Sequence, residues 1–183
     1  MGTTSPAGTT QASCGVDRYY SFVIALGAVV LTTAWVALLV ATPLLPGWTG
    51  AVVYGVGSFI CHQIPERSFH LAGFQLPVCA RCLGIYLGAS VGAGFVWMRA
   101  LSARPFGPLA PVALRRFAVL AAIPTLVTVA LEFAGLWFPS NGTRAVAGFP
   151  LGVMVALVVM SALATLHLDE CVPRRPIVPK PPQ

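Results

Sequence analysis

Charged side chains are scarce in this sequence: they make up 9% of its 183 residues, and only five of them are Asp or Glu. Water-soluble domains carry roughly 25% charged residues, so an ordinary soluble domain is excluded. The net charge is +6, but no basic domain face or nucleic-acid motif accompanies it, and we expect no nucleic-acid partner. Walker, H-E-x-x-H and Ser/His/Asp patterns are also missing from the sequence.

The two ends of the chain differ in composition from the middle. Residues 1–18 are rich in Gly, Thr, Ser and Ala, and they lack the basic start and immediate apolar run of a cleaved signal peptide. We expect a disordered lead there. Residues 173–183 hold five prolines with two arginines and a lysine, which predicts an extended, basic, cytoplasmic tail. A single membrane domain is expected over residues 19–172.

Long apolar runs dominate the middle of the chain. A membrane-spanning helix needs about 20 mostly apolar residues. Three segments meet this requirement (19–45, 117–138 and 145–168), and a fourth, 82–98, is at the lower limit with about 17. The apolar stretch 48–60 is too short to span, which predicts a re-entrant or interfacial helix, although a fifth span stays open. The predicted fold is therefore an all-α, polytopic membrane helix bundle with about four transmembrane helices.

The fourth segment is rich in small residues. It contains Gly84, Gly88, Gly92 and Gly94, and Gly88 with Gly92 forms a G-x-x-x-G spacing. This spacing allows close approach to a neighbouring helix and predicts a position inside the bundle. The alternative is a helix that is rich in small residues without any specific pairing.

The basic residues divide unequally between the two sides of a four-span bundle. Three of the eleven lie on the side of the long loop 46–81, and eight lie on the other side. Cytoplasmic loops carry the excess of Lys and Arg, so both termini are predicted to be cytoplasmic. The multi-pass protein is then expected in the inner (plasma) membrane, with loop 46–81 on the outer face.

That loop concentrates residues that bind metals or undergo redox chemistry. Cys79 and Cys82 form a C-x-x-C at the start of a predicted helix, and Cys61, His62 and His70 precede them. Two intervening residues allow both sulfurs to face one metal ion. The same pair can instead cycle between dithiol and disulfide or form a fixed disulfide in an oxidising compartment. A further alternative is that the cysteines are reduced thiols with a structural role.

In the metal hypothesis, Cys61, Cys79 and Cys82 with His62 form a Cys3His set for zinc or iron. His70 is then a candidate general acid or base, as is Glu132. The remaining cysteines, Cys14 and Cys171, have no assigned role.

An anion site is the second feature predicted for the outer face. Arg67, Arg81 and Arg144 reach the same membrane surface in a four-span topology, together with Asn141. Guanidinium groups bind phosphate or carboxylate through two parallel hydrogen bonds. Each arginine can instead pair with Glu66 or Glu132, or reach lipid headgroups.

Glu132 is the one acid within the third long span, about six residues before its predicted end at Phe138. At 1.5 Å per residue this lies roughly 9 Å inside the boundary. An ionised carboxylate at this depth requires a partner, and the three outer arginines are available. The alternative is a protonated Glu132 that bonds to a neighbouring helix.

These motifs resemble the DUF2085 family, a set of small prokaryotic membrane proteins that share a domain of unknown function. The resemblance rests on Cys61-His62-Gln63, on Pro65-Glu66-Arg67-Ser68-Phe69 and on the run Cys79-Ala80-Arg81-Cys82-Leu83-Gly84-Ile85-Tyr86-Leu87-Gly88. A later segment with Ser140, Asn141, Arg144 and Gly148 resembles the family's second patterned region. The resemblance implies the membrane fold and the location of the site, and it implies no reaction.

The function predicted from these observations is a membrane site that binds a metal and also binds, or acts on, an anionic or lipid-linked small molecule. Two alternatives stay open: a thiol–disulfide oxidoreductase that uses the C-x-x-C, and a non-enzymatic accessory subunit of a membrane complex. Whether the protein is an enzyme is left open, as are its oligomeric state and partners other than the lipid bilayer.

Overall fold

The structure, a computed structural model, describes residues 9–102 and 110–171. These residues form five α-helices and one two-stranded sheet. In chain order the elements are α1 (Thr9–Ala41), α2 (Gly47–Ile60), β1 (Ser68–Leu71), β2 (Phe74–Cys79), α3 (Ala80–Leu101), α4 (Pro111–Phe133) and α5 (Asn141–Cys171). The predicted basic tail and the first eight residues of the predicted lead lie outside the described residues. The helical backbone of α1 already begins at Thr9.

Four of the helices are long and apolar enough to cross a membrane. The candidate spans are Tyr19–Leu44, Ala80–Leu101, Val112–Phe133 and Asn141–Ala164. The predicted all-α bundle with four spans is confirmed. Residues 42–79 and 134–140 connect spans on one side of the bundle, which we call the loop side.

The third span differs from its prediction at the loop side, because α4 ends at Phe133 and not at Phe138. Gly135 adopts a left-handed backbone with φ of 66°. Its N–H donates to Glu132 O at 3.2 Å, and Leu136 N–H donates to Leu131 O at 3.0 Å. This pair of bonds is a Schellman motif, which ends a helix at a glycine. Glu132 therefore lies one residue from the helix end, and the predicted depth of six residues was wrong.

The spans pack in the order α1, α3, α5, α4, which puts α3 and α5 in the centre. Their interface is made of glycines from both helices. A Cβ added at Gly84 or Gly88 would overlap the backbone carbonyl of Ala145 or Phe149, and one added at Gly152 would overlap that of Ile85. The two backbones are thus in direct contact, as small residues at four-residue spacing permit. The predicted central position of α3 is confirmed.

The segment 46–81, predicted as a loop with a short helix, is largely ordered secondary structure. The helix is present as α2, which has 14 residues. The antiparallel pair β1–β2 was not predicted. Its turn residues, Ala72 and Gly73, both have positive φ angles, as a type I′ hairpin turn requires.

The hairpin is packed into the bundle. Leu76, Pro77 and Val78 of β2 are buried, and Leu76 and Val78 share a core cluster with Leu39 of α1 and Leu83 of α3. This burial anchors the strand that leads directly into the C-x-x-C motif.

Candidate functional site

The three cysteines of the loop side come together in space. The sulfur atoms of Cys61, Cys79 and Cys82 all lie within 4.8 Å of one another. Cys79 Sγ and Cys82 Sγ are 3.3 Å apart, and all three thiols are free. Cys61 is buried, while the other two are half-buried. Three soft ligands at this spacing can hold one metal ion.

Backbone geometry brings these sulfurs together. Cys61 adopts an extended conformation and ends α2, whereas Cys79 is the residue that precedes the first turn of α3. Cys79 N–H donates to Cys61 Sγ at 3.1 Å. This bond joins the end of α2 to the start of α3 through the Cys61 sulfur.

The pKa of Cys79 is lowered to about 5, chiefly by the hydrogen bond with the Cys82 thiol. The positive end of α3 acts in the same direction, because a helix N-terminus stabilises a negative charge. Both effects favour the thiolate form of Cys79. This property suits both a metal ligand and a redox-active thiol.

Gln63 joins the segment after Cys61 to the hairpin through hydrogen bonds. Its Nε2 donates to the backbone oxygens of Tyr54 and Pro77, both at 2.8 Å. The backbone carbonyl of Gln63 accepts from Gln75 Nε2 at 2.6 Å. Gln63 has a positive φ of 50°, a conformation that is uncommon for a non-glycine residue. These bonds hold the strained backbone and link α2 to β2.

Three arginines converge on one buried carboxylate. Glu132 Oε1 lies 2.7 Å from Arg144 Nη2 and 3.0 Å from Arg67 Nε, and Glu132 Oε2 lies 3.3 Å from Arg81 Nη2. The Glu132 side chain is 4% exposed, against 42% for Arg67. The carboxylate sits at the C-terminal end of α4, where the helix dipole disfavours a negative charge. The guanidinium groups offset this cost.

Positive charge remains in excess in this cluster, because three arginines face one carboxylate. Nε of Arg81 and Nε of Arg144 are buried and have no hydrogen-bond partner among the described residues. Buried donors without partners are rare in proteins, and they point to an unfilled interaction.

Asn141 connects the arginine cluster to the hairpin. Its Nδ2 donates to Ser68 O at 2.9 Å, and its Oδ1 accepts from Arg144 Nη1 at 2.9 Å. The neighbouring Ser140 Oγ accepts from Thr143 N–H at 3.2 Å, which caps α5 at its start. The side chain of Asn141 thus fixes the position of Arg144.

One cavity of about 340 Å³ connects the two clusters. Its wall includes all three cysteines and all three arginines, together with His62, Gln63, Ile60, Ile64 and Phe133. The cavity lies at the loop-side ends of α2 and α4. Thiol groups and guanidinium groups therefore line the same cavity.

Residues 61–158 match the family model described as "Predicted membrane protein (DUF2085)". The chain belongs to this family. It is 33% identical over 108 residues to an uncharacterized protein of Methanocaldococcus jannaschii, covering 59% of this chain and 66% of that relative. It is 35% identical over 99 residues to an uncharacterized protein of Methanothermobacter thermautotrophicus, covering 54% of this chain and 83% of that relative. No solved structure matches the chain.

The DUF2085 region contains every residue of both clusters, since it runs from Cys61 past Arg144. Two predicted site residues lie apart from the converging groups. His62 is exposed and lines the cavity, but it is not one of the donors within 4.8 Å of one another. His70 is exposed on β1, opposite Gln75, and is not part of the cavity wall. The role of either histidine stays a prediction.

Several residues of this DUF2085 site were missed at the sequence level. Gln63 and Gln75 carry the loop network, and Thr128 Oγ1 accepts from Arg81 Nη2 at 3.4 Å. The C-H-Q motif contained a signal for Gln63, because a polar side chain between two apolar segments needs hydrogen-bond partners when it is buried. Thr128, one turn before Glu132, carried no comparable signal.

Proposed function

We propose that this protein is a metal-binding membrane protein whose loop-side cavity also binds an anionic ligand. One observation carries the proposal: three cysteine sulfurs and three guanidinium groups line a single cavity.

The sulfur geometry supports the metal half of the proposal. Thiolates bound to a tetrahedral zinc ion at 2.3 Å lie about 3.8 Å apart, close to the 3.3 Å between Cys79 Sγ and Cys82 Sγ. Three thiolates leave the fourth position for His62, which follows Cys61 in the chain, or for a bound ligand. Zinc or iron fits this donor set. We expect His62→Ala to weaken metal binding without abolishing it.

The arginine cluster supports the anion half. Arg81 and Arg144 each retain a buried Nε–H without a partner, and Glu132 balances one of three positive charges. Glu132 is thereby assigned as a counter-charge, because its oxygens are bound by three arginines. A role of Glu132 or His70 as a general acid or base stays a prediction.

The proposed location of the site is the outer face of the plasma membrane, with both termini in the cytoplasm. The support is the distribution of basic residues, three on the loop side and eight on the other. A fluorescent protein that matures only in the cytoplasm, fused to the C-terminus, should fluoresce in cells. A dark but fully expressed fusion would reverse the orientation.

Metal content of the detergent-purified protein is the decisive experiment. We expect near-stoichiometric zinc or iron in the wild type and its loss in Cys79→Ser/Cys82→Ser. The double variant Cys14→Ser/Cys171→Ser removes the same number of thiols elsewhere and should keep the metal. An absence of metal from fresh protein prepared without chelators would reject the metal half.

Binding of inorganic pyrophosphate, measured by calorimetry in detergent, tests the anion half. Arg67→Gln should weaken binding by about tenfold, the equivalent of one charge-assisted hydrogen bond. Arg115→Gln removes an exposed arginine from the opposite end of α4 and should leave binding unchanged. Equal binding by both variants would reject the arginine site.

A second candidate function is thiol–disulfide exchange, which the 3.3 Å between Cys79 Sγ and Cys82 Sγ favours. In that reaction the oxidised pair would accept two electrons and two protons from a partner dithiol. The variant Cys82→Ser would then trap a mixed disulfide through Cys79. Stoichiometric metal and no trapped partner would favour the metal function.

A further inference from the structure

We propose that the anion bound in this cavity is the phosphate group of a membrane lipid, which enters the cavity from the bilayer. This inference rests on the anion half of the proposed function and specifies the class of its ligand. A phosphate ester dissolved in water shares the headgroup chemistry, so the experiment must separate the two sources.

The arginine cluster lies at the level where a candidate span ends. Phe133 is the last residue of a candidate span and also belongs to the cavity wall. Glu132, which the three arginines surround, precedes it directly. The end of a span that crosses the hydrocarbon core marks the level where headgroups begin. The guanidinium groups therefore lie at the depth of lipid phosphates.

Part of the cavity wall consists of exposed apolar side chains. Ile60 and Phe133 line the cavity, yet 52% and 93% of their surfaces are exposed. The neighbouring Phe59 is 91% exposed. Of these residues, Phe133 ends a candidate span, where an exposed apolar side chain is positioned to contact lipid chains. A ligand with an acyl chain can thus keep its tail against this wall while its headgroup is inside.

The arginines supply hydrogen-bond donors for a phosphate group. Arg67 contacts Glu132 through Nε at 3.0 Å, and it belongs to the cavity wall. Its side chain is 42% exposed, so the guanidinium can turn toward a ligand. Arg81 and Arg144 line the same cavity, so its wall carries the guanidinium groups of three arginines. The oxygen atoms of a phosphate group form strong, charge-assisted hydrogen bonds with guanidinium groups.

The excess positive charge of the arginine cluster favours an anionic headgroup. Glu132 is the one acid that pairs with these arginines in the described part of the chain. Glu66, also on the loop side, is exposed and has no ion pair there. Unbalanced charge at a membrane boundary is costly. An anionic headgroup at this position would lower that cost, whereas a zwitterionic headgroup would bring its own positive charge.

The test compares lipids in nanodiscs by native mass spectrometry of the intact protein. We expect phosphatidic acid to be retained at least about tenfold more than phosphatidylcholine, since one charge-assisted bond already gives this ratio. Arg67→Gln should remove the preference, and Arg115→Gln should keep it. Phe133→Gln should reduce retention of phosphatidic acid about fivefold through lost apolar contact, and it should reduce this retention more than it reduces pyrophosphate binding.

Two results would overturn the inference. One is equal retention of phosphatidic acid and phosphatidylcholine by the wild type. The other is competition by glycerol 3-phosphate at the same affinity as phosphatidic acid, which would assign the site to a soluble phosphate ester. In both cases Arg67-dependent pyrophosphate binding would leave the proposed function intact. If pyrophosphate binding is also independent of Arg67, the anion half of the proposed function fails as well.

Discussion

Arg144 Nη2 lies 2.7 Å from Glu132 Oε1, and the two side chains are only 8% and 4% exposed. This pair joins the start of α5 to the end of α4 at the loop side. Each partner would be unfavourable alone, because Arg144 is in the first turns of a helix and Glu132 is in the last turn of one. The pair offsets both penalties, and it lies at the base of the proposed anion site.

The first prediction concerns the charge balance of this cluster. Glu132→Gln leaves three arginines without their counter-charge, one of them almost fully buried. We expect the free energy of unfolding to fall by about 3–5 kcal/mol, the usual cost of removing one partner of a buried ion pair. Reversible unfolding in mixed detergent micelles measures this change.

The control for this prediction is Glu66→Gln, which neutralises an exposed acid on the same side. Its effect should stay within about 0.5 kcal/mol. Added inorganic phosphate should stabilise Glu132→Gln more than the wild type, because the ion can replace the lost carboxylate. An unaltered stability of Glu132→Gln would mean that Glu132 is not the counter-charge of the arginines.

The second prediction concerns the contact between α3 and α5. Gly88→Ala would place a Cβ against the backbone carbonyl of Phe149, and backbone atoms cannot move aside as a side chain can. We expect a loss of about 1–3 kcal/mol in the free energy of unfolding from overpacking. Gly94→Ala, in the same helix, has open space around the new methyl group and should be neutral or slightly stabilising. Similar losses in both variants would remove the helix contact as the cause.

The third prediction connects loop packing to the metal. A Cβ at Gly57 would lie 2.5 Å from Pro77 O and 2.7 Å from Gln63 Nε2. The hydrogen bond between these two groups joins the segment after Cys61 to the strand that ends at Cys79. We expect Gly57→Ala to lose metal during purification. Gly55→Ala, two residues earlier in α2, meets nothing within 4 Å and should keep the metal. Full metal content in Gly57→Ala would show that the sulfurs converge without this network.

The features that sequence predicted best are those that depend on local composition. Apolar length predicts the four spans, and the topology then brings Arg67, Arg81 and Arg144 to one side. The end of α4 was predicted too late because Phe138 continues the apolar run, while the left-handed turn at Gly135 stops the helix. A single glycine outweighs hydrophobicity there, since a Schellman motif satisfies the last carbonyl groups.

The hairpin and its hydrogen-bond network were harder to predict. The turn residues Ala72-Gly73 are not one of the Asn-Gly, Asp-Gly or Gly-Gly pairs that signal a two-residue hairpin, so the turn gave no clear local signal. Long-range contacts such as Asn141 Nδ2 to Ser68 O join residues 73 apart in the chain. No local pattern encodes such a contact, so the connection between the two clusters emerged only in three dimensions.

The fourth prediction concerns the order in which the thiols oxidise when no metal is bound. Cys79 Sγ and Cys82 Sγ are 3.3 Å apart, and Cys61 is buried. Limited oxidation of chelator-treated protein should therefore form the Cys79–Cys82 disulfide first and leave Cys61 reduced. Differential alkylation followed by peptide mass spectrometry identifies the pair.

The pH dependence of alkylation of the reduced protein extends this prediction. The hydrogen bond with the Cys82 thiol lowers the pKa of Cys79 to about 5, so its thiolate is fully present at pH 7 and is lost only as the pH falls through that value. Its alkylation rate should change little between pH 7 and pH 8.5, whereas an ordinary thiol with a pKa near 8.5 should react more than about tenfold faster over that range. Cys61→Ser should preserve both the disulfide and the flat profile, because neither depends mainly on Cys61. A dominant Cys61–Cys79 disulfide would make Cys61 the principal partner of Cys79, and the redox candidate would then require a different resolving thiol. A steep profile at Cys79 would mean that the Cys82 thiol does not lower its pKa.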